Sequence, residues 1–530
     1  MTWNHGYNVD LGYTYGYYRE QDPAWLDLCA LIKRVAPPSL FFEGKLRYLE
    51  LGCGQGVNLC LIAACHPHME FVGIDFNPQH IAHAQGLAKA AGLANVRFVE
   101  GNFVALAEDW PSELGRFHYL TAHGIYTWIA PEVCAALVRC LDAAAHPGAL
   151  VYLSYNTMPG WLSTVPVQHL LRFWQKQEGL PSLKAIDVGH KRLQALMEAN
   201  AAMTRVLPAL KGRLEKFPAL DRAYLTQEYL HDNWQPRWFD QMAAELAPAK
   251  LTYLTTATAG DWFLAGMLPA PWKAFLAESS ETVAQETMLD VLINQTFRRD
   301  VWARGATPLW PAQQRELLLG VRFALLGRPS PKEEGDNPYK YTTSLGEVSG
   351  KPEIYAPLYE SLQSGPKTLG ELIQVPVGSP ADGVTVAAEG APQRSLGDTL
   401  QALGLMLHAG HVALARGLPQ DKPAKALNRA LASAVLNGAP YRNLLAPNLP
   451  WVLSASDGDI MLAGLLMQHP KASAAQLAAL WTQRLLALGR GLMKDGQSLT
   501  TREAMLPRAE ELASTFLAKT APQWQRLGVI

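Results

Sequence analysis

Residues 48–58 read YLELGCGQGVN, an apolar run that ends in an acid and opens into glycines at 52, 54 and 56. Glycines at alternate positions let a backbone lie against a ligand with no Cβ in the way. Glu50, on the run just before them, suits a ligand that carries a cation. Such a loop serves either the pyrophosphate of a dinucleotide or a smaller, cationic cofactor. A dinucleotide fingerprint needs its third glycine one position later, for close helix–strand packing, and Val57 stands there instead. A second acid, Asp75, follows 25 positions after Glu50. A carboxylate there can accept both hydroxyls of a ribose, and both kinds of ligand use one.

The pattern Glu-x-Gly-x-Gly-x-Gly resembles that of class I S-adenosylmethionine (SAM) methyltransferases. The resemblance implies SAM as cofactor, with Gly52, Gly54 and Gly56 at its amino-acid end, Glu50 acting on the cation indirectly, and Asp75 on the ribose. Within FVEGNF (98–103) it puts Asn102 where these enzymes keep Asp or Asn for the adenine amino group. Phe76 or Phe103 would flank the ring. The plainer alternative for each polar residue is a strand-end cap. Residues 46–155 carry this resemblance. Further marks are similar to a narrower bacterial family, the methyltransferases with a methyltransferase regulatory domain. They are YTYGYYREQDPAWL (13–26), AHGIYTWI (122–129), YNTMPGW (155–161), and QEYLHDNWQPRWF (227–239) through FRRDVWAR (297–304). Rickettsial lysine methyltransferases acting on an outer-membrane protein belong to that family, which implies by analogy a protein substrate with lysine acceptors.

Methyl transfer from a sulfonium is an in-line displacement, so the site mainly has to align nucleophile, methyl and sulfur. The aiming residues belong to the loops HGIYTWI and YNTMPGW. Enzymes acting on base or amide nitrogens usually carry Asp/Asn-Pro-Pro-Tyr/Phe in the first loop. His123-Gly124-Ile125-Tyr126 here argues against DNA-base and glutamine acceptors. A lysine acceptor must be neutral, at a cost of about 4 kcal/mol near pH 7.4, which an aromatic, partly dry slot lowers by desolvation. Tyr126, Trp128, Tyr155 and Trp161 are the candidate walls, and Asn156 or His123 the acceptor of the amine's hydrogen bond. Trp128 can equally join Ile125 and Ile129 in the core, and Asn156-Thr157 before Pro159-Gly160 is also good turn chemistry. Tyr13, Tyr15, Tyr17 and Tyr18 read as a lid over the cofactor or as surface packing. Glu228, His231 and Asp232 read as a capped helix end.

These residues need a scaffold that gathers strand ends. Short apolar runs at 46–51, 69–75, 96–101, 117–123 and 149–155 alternate with helix-like segments. That rhythm predicts an open parallel sheet with ligands beyond the carboxyl ends of its strands. Residues 162–235 read as helices, 237–257 as a helix and a strand, and 294–305 as a closing strand. These last elements either complete the sheet around an insertion or form a separate α/β domain. With the resemblance, the fold class is α/β: a Rossmann-like seven-stranded class I methyltransferase sheet, a helical insertion and a mostly α C-terminal domain. The expected divisions are 1–160, a core with an aromatic lid; 161–235, an insertion or dimerisation segment; 236–306, a regulatory segment; and 307–530, a C-terminal domain, winged-helix-like in part. Gly/Pro-rich linkers are expected at 327–340 and 375–392.

Composition narrows the partners. Lys+Arg 46 against Asp+Glu 47 leaves no basic excess for nucleic acid. No apolar window is long enough to span a membrane and no signal-peptide layout opens the chain, so the expected location is the cytoplasm. All six cysteines lie in the first 140 residues and read as reduced core thiols. Cys60, Cys65, His66 and His68 lack a second ligand pair, so no metal is expected. The expected function is SAM-dependent methylation of protein lysines, in a possible homodimer. The rivals are a small-molecule methyltransferase and an inactive SAM-binding scaffold.

Overall fold

The computed structural model describes residue 7 and residues 15–331, 336–378, 394–415, 421–449 and 451–530. Tyr13 and parts of both expected linkers lie outside the described residues.

Five parallel strands form the core: β1 (Arg47–Leu51), β2 (Glu70–Asp75), β3 (Val96–Glu100), β4 (Phe117–Ala122) and β5 (Ala145–Asn156). All six residues of β4 are buried, as a parallel strand covered on both faces requires. Helix α1 (Pro23–Ile32) precedes the sheet, and α2 (Val57–Cys65), α3 (Pro78–Ala91), α4 (Phe103–Glu108) and α5 (Pro131–Ala144) are the crossovers. Local sequence sets their ends. Asn77 caps α3 by accepting from Gln79 N, Pro78 fills its first position, and Gly92 ends it at φ +64°.

Two later strands, β6 (Leu251–Thr256) and β7 (Phe297–Arg304), join the same sheet, in the order β3-β2-β1-β4-β5-β7-β6. The sheet is therefore seven-stranded and mixed, not purely parallel, because β7 runs antiparallel to both β5 and β6. Residues 157–250 are inserted between β5 and β6. They include α6 (Val165–Glu178), α7 (Ser182–Glu198), α8 (Ala202–Val206), α9 (Ala209–Lys216), α10 (Arg222–Tyr229) and α11 (Phe239–Leu246). All but α11 surround a small apolar core of their own, with Trp161, Leu171, Leu193, Leu214 and Phe217 in it. Gly189 permits that packing: a Cβ on it would lie 2.1 Å from Leu171 Cδ2.

Beyond β7 the chain is mainly helical. Strands 322–325, 367–368 and 412–415 pair antiparallel beneath helices 352–363, 369–373 and 396–408. Helices 421–436, 457–468, 474–487 and 502–515 follow, with two β-hairpins among them. The helix 421–436 packs on α3 and α2. One apolar cluster consequently runs from Trp25 through Cys60 and Leu61 to Leu427 and Trp524. Among the described residues no helix is long and apolar enough to cross a membrane.

Candidate active site

The carboxyl ends of β1 to β4 open into a cleft. After β1 the chain turns through Gly52, Gly54 and Gly56 at φ +73°, +51° and +73°, where any other residue is strained. One cavity of about 770 Å³ lies over these strand ends, bordered by Tyr7, Gly52, Asp75, Phe76, Asn102, Phe103 and His123. A second, of about 380 Å³, is bordered by Tyr15, Tyr18, Glu50, Gly54, Gly56 and Asn58. Gly52, Gly54 and His123 border both, and the sizes suit a small cofactor. Ile125 and Ile129, expected in the core, also border the larger cavity.

The loop glycines differ in their reasons. A Cβ on Gly54 would meet nothing within 4 Å, so that backbone faces open space. A Cβ on Gly56 would lie 2.3 Å from Ala84 Cβ and 2.8 Å from Phe98, so this glycine lets α3 and β3 close on the loop. Glu50 is buried beside them. Its Oε1 accepts from Asn58 Nδ2 at 3.0 Å, and its Oε2 has no partner. Burial pushes the carboxyl up to about 8. A buried carboxylate oxygen left unpaired is costly, and a cationic or donor group in the smaller cavity removes that cost. The site therefore fits the ammonium end of an amino-acid-bearing cofactor.

Asp75, at the end of β2, is 5% exposed. Its Oδ2 accepts from Gly54 N at 2.8 Å, and its Oδ1 from Asn77 N at 2.9 Å and faces His80 Nδ1 at 3.2 Å. The carboxylate thus ties the glycine loop to α3 as well as bordering the larger cavity. Asn102 caps α4, accepting from Val104 N at 2.8 Å, and borders the same cavity. Phe76 and Phe103 both line it, and Phe76 meets the Tyr7 ring edge-on at 5.8 Å.

On the acceptor side, His123 follows β4 beneath the Tyr18 ring, with centroids 3.7 Å apart. Its Nδ1 lies 2.9 Å from both the Tyr152 hydroxyl and Ser154 Oγ. Burial and the nearby Arg299 hold its imidazole down at about 3, so it is neutral. Asn156, the last residue of β5, lies on the face of Tyr152 and Ser154. It donates from Nδ2 to Glu228 Oε1 at 2.7 Å. The inserted α10 supplies that carboxylate, and just beyond it His231 lies 4.3 Å from the Tyr7 ring and 6.0 Å from Trp128. Trp128 is buried with an unpaired Nε1. Glu228 and His231, read from sequence as a helix end, thus stand against the strand-end loops. Asp232 does not join them and pairs with Arg172 and Lys176.

Three expected slot walls lie elsewhere. Tyr126 packs in the core beneath the sheet, and its hydroxyl donates to Glu245 on α11. Tyr155 donates to Asp300 Oδ2 at 2.6 Å in the same layer. Trp161 anchors the insertion's core, with its Nε1 on Thr296 O and Arg213 over its ring at 4.1 Å. Alternation along the loops explains this: an aromatic next to a strand end faces the cleft or the core, and composition does not say which. The cysteines Cys60 and Cys65 are buried on α2, while His66 bonds Asp22 at 3.2 Å.

Two family descriptions match the chain: "Methyltransferase domain" over residues 42–172, and "Predicted methyltransferase regulatory domain" over residues 221–304. The uncharacterized protein sll1526 of Synechocystis is 32% identical over 533 residues, covering 100% of both chains. The uncharacterized protein RP028 of Rickettsia prowazekii is 30% identical over 169 residues, 30% of this chain and 63% of that protein. Among solved structures, PKMT2 from Rickettsia typhi in complex with AdoHcy shares the fold. Its TM-score is 0.67 over 96% of this chain and 98% of that one, at 18% identity. The matched domains, the full-length relative and the shared seven-stranded fold place the chain in the family of SAM-dependent methyltransferases that carry a methyltransferase regulatory domain.

Proposed function

We propose that this methyltransferase acts on lysine side chains of a protein substrate, an outer-membrane protein by analogy with the rickettsial enzymes its sequence resembles. The observation that carries the reading is the ring-lined recess around the neutral imidazole of His123. Tyr18 covers the His123 ring, Tyr7 borders the same cavity, and His231 packs on Tyr7. In such surroundings a lysine is held uncharged by desolvation, with its lone pair available. When bound, SAM supplies an electrophilic methyl group. Glu50 and the Gly52–Gly54 backbone hold its amino-acid end, Asp75 its ribose, and Asn102, Phe76 and Phe103 its adenine. His123 Nδ1 is already met by two hydroxyls, and Asn156, held by Glu228 through Nδ2, is the side chain that accepts from the acceptor amine. The rings exclude water and fix the line of approach, and the amine's proton leaves to solvent.

The test is transfer of labelled methyl from SAM to host lysate, with and without outer-membrane fractions, read by mass spectrometry of modified residues. Label on protein lysines is expected. Label confined to small molecules would exclude lysine, and SAM binding without any label would leave a scaffold.

A further inference from the structure

We propose that Glu228, delivered by the insertion, is a positioning residue that sets which end of the Asn156 side-chain amide faces the acceptor. The proposal rests on the reading above that the acceptor docks beside Asn156.

The geometry is specific. Asn156 is 2% exposed and held at the end of β5 by its own N–H to Thr127 Oγ1 at 2.9 Å and by Arg237 N–H to its carbonyl at 3.0 Å. Its side chain therefore has little freedom except rotation of the amide. Glu228, 5% exposed, accepts from Nδ2 at 2.7 Å, and the side-chain carbonyl Oδ1 makes no hydrogen bond among the described residues. An ionised carboxylate can only accept, so it selects the orientation with Nδ2 inward and Oδ1 outward. Outward Oδ1 is what an N–H acceptor substrate needs. A protonated Glu228 both donates and accepts, so it no longer selects one orientation of the amide.

Burial pushes the Glu228 carboxyl up to about 7, against the pull of the Asn156 bond and of Arg213 on α9. Tyr224 and Tyr229 of α10 also face it. Tyr224 stays protonated near neutrality, since burial pushes its phenol up to about 12. His231 is neutral, held down at about 3 by burial. Glu228 is thus the group among these that changes charge near neutral pH. The sign follows: the productive amide orientation is enforced above about 7, and that selection is lost as pH falls through it.

The experiment compares the pH profile of kcat/KM for the full-length enzyme and its Glu228→Gln variant, on whichever acceptor the enzyme labels. An amine acceptor gives log(kcat/KM) a slope of about 1 from its own deprotonation. Protonation of Glu228 adds a further fall of about tenfold as pH drops through about 7, which steepens the acid limb there. A glutamine amide at this position both donates and accepts at every pH, so it no longer selects one orientation. The variant is expected to lose the extra slope, fall about tenfold at pH 8, and bind SAM as before. A uniform reduction at every pH, or an unchanged profile, overturns the proposal. If the variant does not fold, the wild-type profile decides alone, because absence of the steeper acid limb has the same force. A small-molecule acceptor would refute the lysine reading yet leave this comparison intact.

Discussion

Glu50 is the residue whose chemistry is most out of place in the ligand-free chain. Its carboxyl titrates near 8 in the fold against 4.5 when unperturbed, so the folded chain holds extra proton between those values. Stability therefore falls as pH rises from about 4.5 to 8. An ammonium beside Oε2 favours the ionised form, so binding SAM at pH 7 should expel a proton and tighten as pH rises towards 8. Calorimetry in buffers of different ionisation enthalpy should find that proton with the wild type and none with Glu50→Gln; equal release by both removes Glu50 from the site. Asp75→Ala should weaken SAM binding by about 1.5–3 kcal/mol, and unchanged affinity would refute the ribose assignment. These positions were legible in sequence because strand, loop and acid follow one another within a few residues. Asn102 was legible only as a pair of alternatives, and the structure places it at the cavity while it caps α4.

Trp161 shows what sequence could not say at the scale of elements. It follows a strand end at the spacing of a slot wall, yet its ring fills the core formed by α6, α7, α9 and α10. Trp161→Ala should cost about 3–5 kcal/mol in urea unfolding while leaving SAM binding in the folded fraction intact, and a loss under about 1 kcal/mol would return Trp161 to the list of contacts. The rhythm of apolar runs gave the parallel strands, since each is a buried stretch between turn residues. It could not give the partnership of Glu228 with Asn156, because 72 residues separate them and only packing of the insertion joins them. The antiparallel β7 is held by a cluster closer in sequence. Arg298, 4% exposed, bonds Asp300, Asp290 and Glu286 at once, tying β7 to the helix 282–293. Arg298→Met would leave those carboxylates facing one another in the interior. A loss of about 3–5 kcal/mol in urea unfolding is expected, smaller at acid pH where the carboxyls are protonated.

Across the whole molecule, the C-terminal region reaches the cofactor loop. Tyr441 lies in that region and its hydroxyl meets His83 Nε2 at 2.6 Å, while His83 Nδ1 meets Gln55 O at 2.7 Å. A backbone carbonyl only accepts, so Nδ1 carries the proton and donates. In the neutral imidazole Nε2 then accepts from the phenol. Donor and acceptor roles are fixed along the chain Tyr441–His83–Gln55, and Gln55 sits between Gly54 and Gly56. The Tyr15 ring, at the border of the smaller cavity, packs on both His83 and Tyr441. Helix 421–436 beside this contact is buried on α2 and α3 within one apolar cluster, so the region cannot leave without exposing the core. Tyr441→Phe keeps that packing and removes only the hydroxyl. His83 then loses its donor, and the loop that shapes the cofactor site loses one of its fixed points. SAM affinity should fall by about 0.5–1.5 kcal/mol, roughly two- to twelvefold, with the thermal midpoint nearly unchanged. Titration calorimetry of Tyr441→Phe and of His83→Ala checks this. Equal weakening by both supports the link, because either change cuts the same chain, whereas wild-type affinity in Tyr441→Phe would make the C-terminal region a packing partner with no hold on the loop.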